Sequence, residues 1–291
     1  MRTANARIWL EAARPKTLAA GATPVIVGTA ASGRVIAWRA LTAMVVALAL
    51  QVAVNYANDL FDADKGVDTV GRVGPRRAVA AGLVTPAQMK AATTVTLGVA
   101  AVAGLALAAA AGWWLILVGL SCAAAVLGYS GGRRPYASAG LGEAFVFIFF
   151  GLIATVGSAY VQTEAFTSVA LVAAIPVGLL ASAILVINNL RDAPTDRGAG
   201  KMTLAVRLGD AGTRNLYRAL VGGAFAAVAA VAVAARSPWP LLALAALPLA
   251  RPPLAVVATA SRDRLIAALG ATARLELVTG ALLAVGLWIR R

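Results

Sequence analysis

The chain has 291 residues, 60% of them hydrophobic and 13% charged, where a soluble domain carries about 25% charged residues. It has a net charge of +14, no histidine, and Cys122 as its single cysteine. Histidine-based acid–base chemistry, most transition-metal sites and a disulfide within the chain are therefore excluded, and any metal here is a hard, oxygen-bound ion such as Mg²⁺. The cations lie between oily segments, which points to positive cytoplasmic loops of a membrane protein and away from nucleic acid.

Residues 1–16, MRTANARIWLEAARPK, are short and basic and lack a signal-peptide pattern. They are expected to lie on the cytoplasmic face of the membrane, with Ile8, Trp9 and Leu10 as the apolar contact. Nine candidate spans follow, at 17–35, 40–58, 90–112, 113–130, 143–162, 168–189, 215–235, 238–256 and 267–289. Each is near the ~20 residues that carry a helix across the hydrocarbon core. None alternates with period two, so helices and not a barrel satisfy the backbone. The eighth is the weakest, because Arg251, Pro252 and Pro253 interrupt it and two prolines should end or kink a helix. The fold expected is an all-α integral membrane protein, one domain over residues 1–291. With the N-terminus inside, all of the 26 Lys and Arg except Arg34, Arg39, Arg236, Arg290 and Arg291 fall on or near the inner side. That bias orients the chain and leaves its C-terminus outside. Of the 12 Asp and Glu, Glu164 alone falls in an outer loop. Topology does not demand this of acids, so chemistry must hold them inside.

The acids gather in two places. In VNYANDLFDADKGVD (Val54 to Asp68), Asn55, Asp59 and Asp62 are spaced i, i+4, i+7 at the inner end of the second span. In INNLRDAPTDRGAGKMT (Ile187 to Thr203), Asn188, Asp192 and Asp196 are spaced i, i+4, i+8 at the inner end of the sixth, where Pro194 is expected to bend the last turn. Each set shares one helix face. Carboxylates facing each other at a membrane edge need cations, and two Mg²⁺ ions meet that need while binding substrate phosphate. Lys65, Arg72, Arg76 and Arg77 follow the first column; Arg191, Arg197 and Lys201 surround the second. Acids for metal beside bases for an anion suit a diphosphate. A third inner loop, GYSGGRRPYASAGLGE (Gly128 to Glu143), adds Arg133 and Arg134, with Tyr129 or Tyr136 as phosphate hydrogen-bond partners. An ion-coupled transporter would place its acids near midspan, whereas these cluster at one end.

These motifs resemble the UbiA superfamily of intramembrane aromatic prenyltransferases. The residues that carry the resemblance are Asn58-Asp59-Leu60-Phe61-Asp62, Asp192-Ala193-Pro194-Thr195-Asp196 and Tyr129-Ser130-Gly131-Gly132-Arg133, and it covers nearly the whole chain. ARPKTLAAGATPVIVGT, NYANDLFDADKGVDT with RVGPRRAVAAGLV, and NNLRDAPTDRGAGKMTLAVRLG are most similar to the branch that prenylates 1,4-dihydroxy-2-naphthoate. There are departures: Gly66 stands where many relatives have a further Asp, with Asp64 and Asp68 beside it, and Arg133 stands where many have Lys. The two cations are not equivalent.

The resemblance implies a helical bundle around a central cavity, set in a prokaryotic plasma membrane. The donor implied is a polyprenyl diphosphate and the acceptor 1,4-dihydroxy-2-naphthoate, with 4-hydroxybenzoate the alternative. The product is demethylmenaquinone, on the route to menaquinone. Asp59, Asp62, Asp192 and Asp196 are expected to hold Mg²⁺, with Asn55 and Asn188 assisting. Lys65, Arg72, Arg76, Tyr129, Arg133, Arg134, Arg191 and Lys201 are expected to bind diphosphate. Arg14 and Lys16, near the inner surface, are candidates for the acceptor carboxylate. Trp113 and Trp114 read as an outer aromatic belt. Phe145, Phe147, Phe149 and Phe150 read as packing or lipid-facing residues, with a tail tunnel as the alternative.

Overall fold

The computed structural model describes residues 5–67, 76–259 and 261–289, and every regular element among them is helical. In chain order the helices are α1 (Ala6–Ala13), α2 (Ala19–Ala31), α3 (Ala37–Asp64), α4 (Pro86–Ala111), α5 (Leu115–Gly128), α6 (Gly142–Val146), α7 (Ala154–Thr163), α8 (Ser168–Gly198), α9 (Leu204–Ala235), α10 (Leu247–Thr259) and α11 (Arg262–Ile289). A π-helical stretch, Phe147–Ile153, joins α6 to α7, and a 3₁₀ stretch, Trp239–Ala246, leads into α10. Among the described residues, 7 of the resulting rods are long and apolar enough to cross a membrane. With the shorter apolar helices α2 and α5 they follow the order of the predicted spans.

Local chemistry sets the ends. Thr85 and Gln88 form a reciprocal capping box at the start of α4, with Pro86 in the first turn, where its missing N–H is harmless. Thr167 caps α8 by accepting from Ala170 N. Asn5 caps α1, and Arg7 pairs with Glu11 along its exposed side at 2.9 Å. Ile8 and Trp9 of α1 pack inward on Val52, Tyr56, Val84 and Met89, while Leu10 remains exposed. Three consecutive residues cannot share one helix face, so the predicted common membrane contact of Ile8, Trp9 and Leu10 is split.

Helix α8 is the axis: 72% of its apolar window is buried, against 22% for α4. Its Leu180, Ile184 and Ile187 meet Tyr217, Val221 and Phe225 of α9 and Leu265, Leu269 and Leu275 of α11. Lipid tails are as apolar as these side chains, so close packing and not water expulsion holds the rods together. Glycine permits the closest approaches. A Cβ on Gly28 would lie 2.1 Å from the Thr155 carbonyl oxygen, and one on Gly151 would lie 2.6 Å from the Gly178 Cα. Val95, Val99, Val102, Leu117, Leu120 and Val233 stand exposed on the outside of the bundle, as a lipid-facing surface requires.

Both interrupted segments remain helical. α10 runs through Pro252 and Pro253, its buried face of Ala250, Pro253 and Val257 held by packing, and α8 runs through Pro194. At the end opposite the acid columns, Arg39 donates to the Val161 carbonyl (2.8 Å), the Ala110 carbonyl (2.9 Å) and Glu164 Oε1 (3.0 Å), binding α3, α4 and α7 together. Glu164, the acid predicted for an outer loop, thus meets Arg39, a cation predicted for the same side. Trp114 donates to the Tyr160 hydroxyl at 3.0 Å, and Trp113 is exposed.

Candidate active site

The C-terminal end of α3 carries the first column and the last turns of α8 the second. Asp59, Asp62, Asp192 and Asp196 are all buried. They do not form a bare acid cluster: among the described residues no three Asp, Glu or Cys side chains are grouped to hold a metal ion. Asp59 accepts from the backbone N–H of Ala78 (2.9 Å) and Val79 (3.1 Å), in the loop before α4. Asp62 accepts from Lys201 Nζ at 2.8 Å, with Arg77 Nη2 at 4.0 Å. Lys201 follows α8, so this ion pair joins the two motifs across 139 residues of sequence. Asp192 is gripped by its neighbour Arg191 through Nε (2.8 Å) and Nη2 (2.7 Å), and the same guanidinium reaches Asn188 Oδ1 at 2.8 Å. Asp196 accepts the Lys201 backbone N–H on its own carbonyl at 2.8 Å.

The loop after α5 is latched onto this end. Lys65 Nζ donates to the carbonyls of Ser130 (2.5 Å) and Gly132 (3.1 Å), and burial pulls the pKa of that amine down. Ser130 Oγ donates to Asn58 Oδ1 at 3.2 Å. Tyr129 is buried and packs edge-on against Tyr136, with ring centroids 5.5 Å apart. Glu143 Oε1 accepts from Asn189 at 2.9 Å, and its carbonyl accepts from Ser182 at 3.1 Å, holding the start of α6 to α8.

Beneath the acids lies a cavity of about 270 Å³. Its polar end is lined by Arg14, Thr17, Gln51, Asn55, Asn58 and Asn188; Tyr129, Tyr136, Phe145, Phe149 and Phe150 form an aromatic wall; Val46, Leu50, Leu107, Leu115, Val118 and Cys122 form the apolar part. Tyr136 donates to the Ala125 carbonyl at 2.8 Å and stacks on Phe145 with ring centroids 4.0 Å apart. Its predicted phosphate contact is therefore replaced by a structural one. Three of the four phenylalanines line the cavity, contrary to their reading as packing or lipid-facing residues. The π-helical stretch adds a residue to the turn and re-aims this face; Phe147 instead packs against Gly178.

Other predicted residues are distributed unevenly. Arg191 and Lys201 are buried among the acids, as is Arg77. Arg76, Arg133, Arg134 and Lys16 are exposed. Arg72 and Asp68 lie outside the described residues. Asn55 donates to the Ala13 carbonyl at 2.9 Å and to Thr17 Oγ1 at 3.2 Å, so its amide nitrogen is committed to the N-terminal segment. Gln51, Thr17, Glu143 and Asn189 are absent from the predicted set. For Gln51 a signal existed: it stands one turn before Asn55 and extends the polar column.

The donor set is carboxylate and amide oxygen, which fits Mg²⁺. The carboxylates of Asp59, Asp62 and Asp192 each already have a cation or N–H partner, as buried carboxylates require.

Residues 21–269 match the UbiA prenyltransferase family. The chain belongs to that family. It is 46% identical over 245 residues to the 1,4-dihydroxy-2-naphthoate octaprenyltransferase of Mycobacterium tuberculosis, covering 83% of each chain. Its fold matches the apo structure of a UbiA homolog from Aeropyrum pernix K1, with TM-score 0.72, 17% identity and coverage of 92% of this chain and 97% of that one. A UbiA homolog from Archaeoglobus fulgidus bound to DMAPP and Mg²⁺ matches with TM-score 0.61 at 15% identity, over 95% of this chain and 99% of that one. In this UbiA family member the two acid columns sit on two helices of one bundle, and Asn55, Asn58 and Asn188 beside them line the cavity.

Proposed function

We propose that this multi-pass membrane protein transfers a polyprenyl group from a polyprenyl diphosphate to 1,4-dihydroxy-2-naphthoate, releasing diphosphate and CO₂ and yielding the prenylated 1,4-diol, the reduced (quinol) form of demethylmenaquinone, for menaquinone biosynthesis. The observation that carries this reading is the 46% identity to a naphthoate octaprenyltransferase across 83% of both chains. The site is consistent with it: a charged end suits a diphosphate, and an apolar, aromatic-walled cavity suits a prenyl tail and a fused ring.

Asp59, Asp62, Asp192 and Asp196 would hold Mg²⁺ as two ions, with Asn188 as a neutral oxygen donor. Bound Mg²⁺ supplies positive charge that stabilises the departing diphosphate. Lys65, Arg77, Arg191 and Lys201 are poised to exchange acid or carbonyl partners for phosphate oxygens, and the exposed Arg76, Arg133 and Arg134 extend the basic surface. The allylic C–O bond breaks and diphosphate leaves with the electron pair. The carboxylate-bearing ring carbon forms the new C–C bond, and CO₂ departs, its bonding pair restoring the aromatic ring. Apolar walls keep water from the allylic cation. The charge bias supports a site on the cytoplasmic side, and the similarity to a bacterial naphthoate octaprenyltransferase supports a prokaryotic plasma membrane.

Purified protein in detergent, given 1,4-dihydroxy-2-naphthoate, a polyprenyl diphosphate and Mg²⁺, should form prenylated product and CO₂, and EDTA or Asp192→Asn should abolish both. Transfer to 4-hydroxybenzoate and not to the naphthoate would overturn the acceptor.

A further inference from the structure

Among the described residues that line the cavity, Arg14 is the one that carries a charge. It stands where α1 ends and the chain turns inward, with φ 53 and ψ 70, the left-handed region that side-chain-bearing residues avoid. Such a conformation persists where the surroundings over-determine it, and here they do. Thr17 Oγ1 donates to the Arg14 carbonyl at 2.9 Å. That hydroxyl oxygen accepts from Gln51 Nε2 at 3.0 Å and from Asn55 Nδ2 at 3.2 Å. Asn55 Nδ2 also donates to the Ala13 carbonyl at 2.9 Å. A carbonyl only accepts, so this contact fixes the Asn55 amide with its nitrogen toward the N-terminal segment. The peptide groups on both sides of Arg14 are thus fastened to the wall of α3.

We propose that Gln51, Thr17 and Asn55 form a clasp that holds Arg14 at the polar end of the cavity, where its guanidinium binds the carboxylate of the aromatic acceptor. Asn55 is then a positioning residue for Arg14, in place of the metal-assisting role its spacing predicts. A planar guanidinium matches a carboxylate with two parallel hydrogen bonds. The diphosphate already has Lys65, Arg77, Arg191 and Lys201 at the acid columns, outside the cavity lining. Arg14 also acts electrostatically on Asp59, and at the polar end of an apolar, aromatic-walled space its cation fits a singly charged, flat acid. It would also orient the carboxylate-bearing carbon, the atom that must form the new bond.

The inference rests on the proposed acceptor, so binding is measured apart from turnover. The naphthoate's own fluorescence gives its Kd on wild type, Arg14→Gln and Arg14→Lys; competition gives the Kd of polyprenyl diphosphate. Naphthalene-1,4-diol, which lacks the carboxylate, is the control ligand. Arg14→Gln should weaken the naphthoate roughly tenfold or more, as loss of a charged hydrogen bond does, and leave the diol and the diphosphate within about twofold. Thr17→Val and Asn55→Ala should raise the naphthoate Kd and KM in the same direction with kcat less affected, and Thr17→Ser should restore them. Retained diphosphate binding shows that each variant is folded. A loss carried by the diphosphate instead, or an equal loss for naphthoate and diol, overturns the role of Arg14. Wild type that binds the naphthoate through Arg14 without prenylating it would leave this role standing and overturn the proposed reaction.

Discussion

Replacing Lys201 with Met removes the ammonium that sits 2.8 Å from Asp62, where both side chains are at least nine-tenths buried. At an effective dielectric of about 20 the direct attraction at that distance is on the order of 6 kcal/mol. The desolvation of two buried ions offsets part of it, and removing one partner of a buried pair typically costs about 3–5 kcal/mol. Arg77 stands 4.0 Å from the same carboxylate and compensates in part. The expected destabilisation is therefore about 3 kcal/mol, and with about 2–4 °C per kcal/mol for a large domain the Tm falls by roughly 6 °C or more. Mg²⁺ bound at Asp62 would return the missing positive charge, so MgCl₂ should raise the Tm of Lys201→Met more than that of wild type. Thermal unfolding in detergent with EDTA or MgCl₂ tests both effects, and a cycle with Asp62→Asn should give a coupling of about 2 kcal/mol. A Lys201→Met protein whose Tm falls but gains no more from Mg²⁺ than wild type would refute Asp62 as a metal ligand. A coupling near zero would refute the pair itself.

Chelation should abolish transfer and added Mg²⁺ restore it, measured as radiolabelled product; activity that survives exhaustive chelation would sink the metal reading. Arg39→Gln loses donors to Val161, Ala110 and Glu164 at the end opposite the acids, so the Tm should drop by the equivalent of about 2 kcal/mol while kcat stays unchanged. Gly131→Ala places a Cβ 2.4 Å from the Leu127 carbonyl oxygen and 2.8 Å from the Phe61 ring. It should lift the loop that Lys65 holds and raise the donor KM several-fold, read from initial rates. Burial lowers the pKa of Lys65, so its ammonium is lost at a lower pH than that of an ordinary lysine; donor kcat/KM should fall on the alkaline side, and Lys65→Arg should move that limb to higher pH.

Much of this protein is legible from one sequence. Uncharged apolar runs admit one backbone solution in a bilayer, so the helical class and the order of the apolar segments follow from composition alone. Helical periodicity is equally rigid, which is why Asn55, Asp59 and Asp62, or Asn188, Asp192 and Asp196, were recognisable as columns before any contact was known. What local spacing does not encode is which column meets which partner. That Lys201 reaches Asp62, that Asp59 caps the Ala78–Val79 backbone, and that Asn55 turns its amide toward Ala13 depend on helices far apart in sequence coming to rest side by side. The π-helical stretch that carries Phe149 and Phe150 to the cavity likewise leaves no mark in hydropathy. Charge and periodicity placed the acids at one end of the membrane; only packing decided which cation answers each of them, because a buried charge takes the partner that the neighbouring helix delivers.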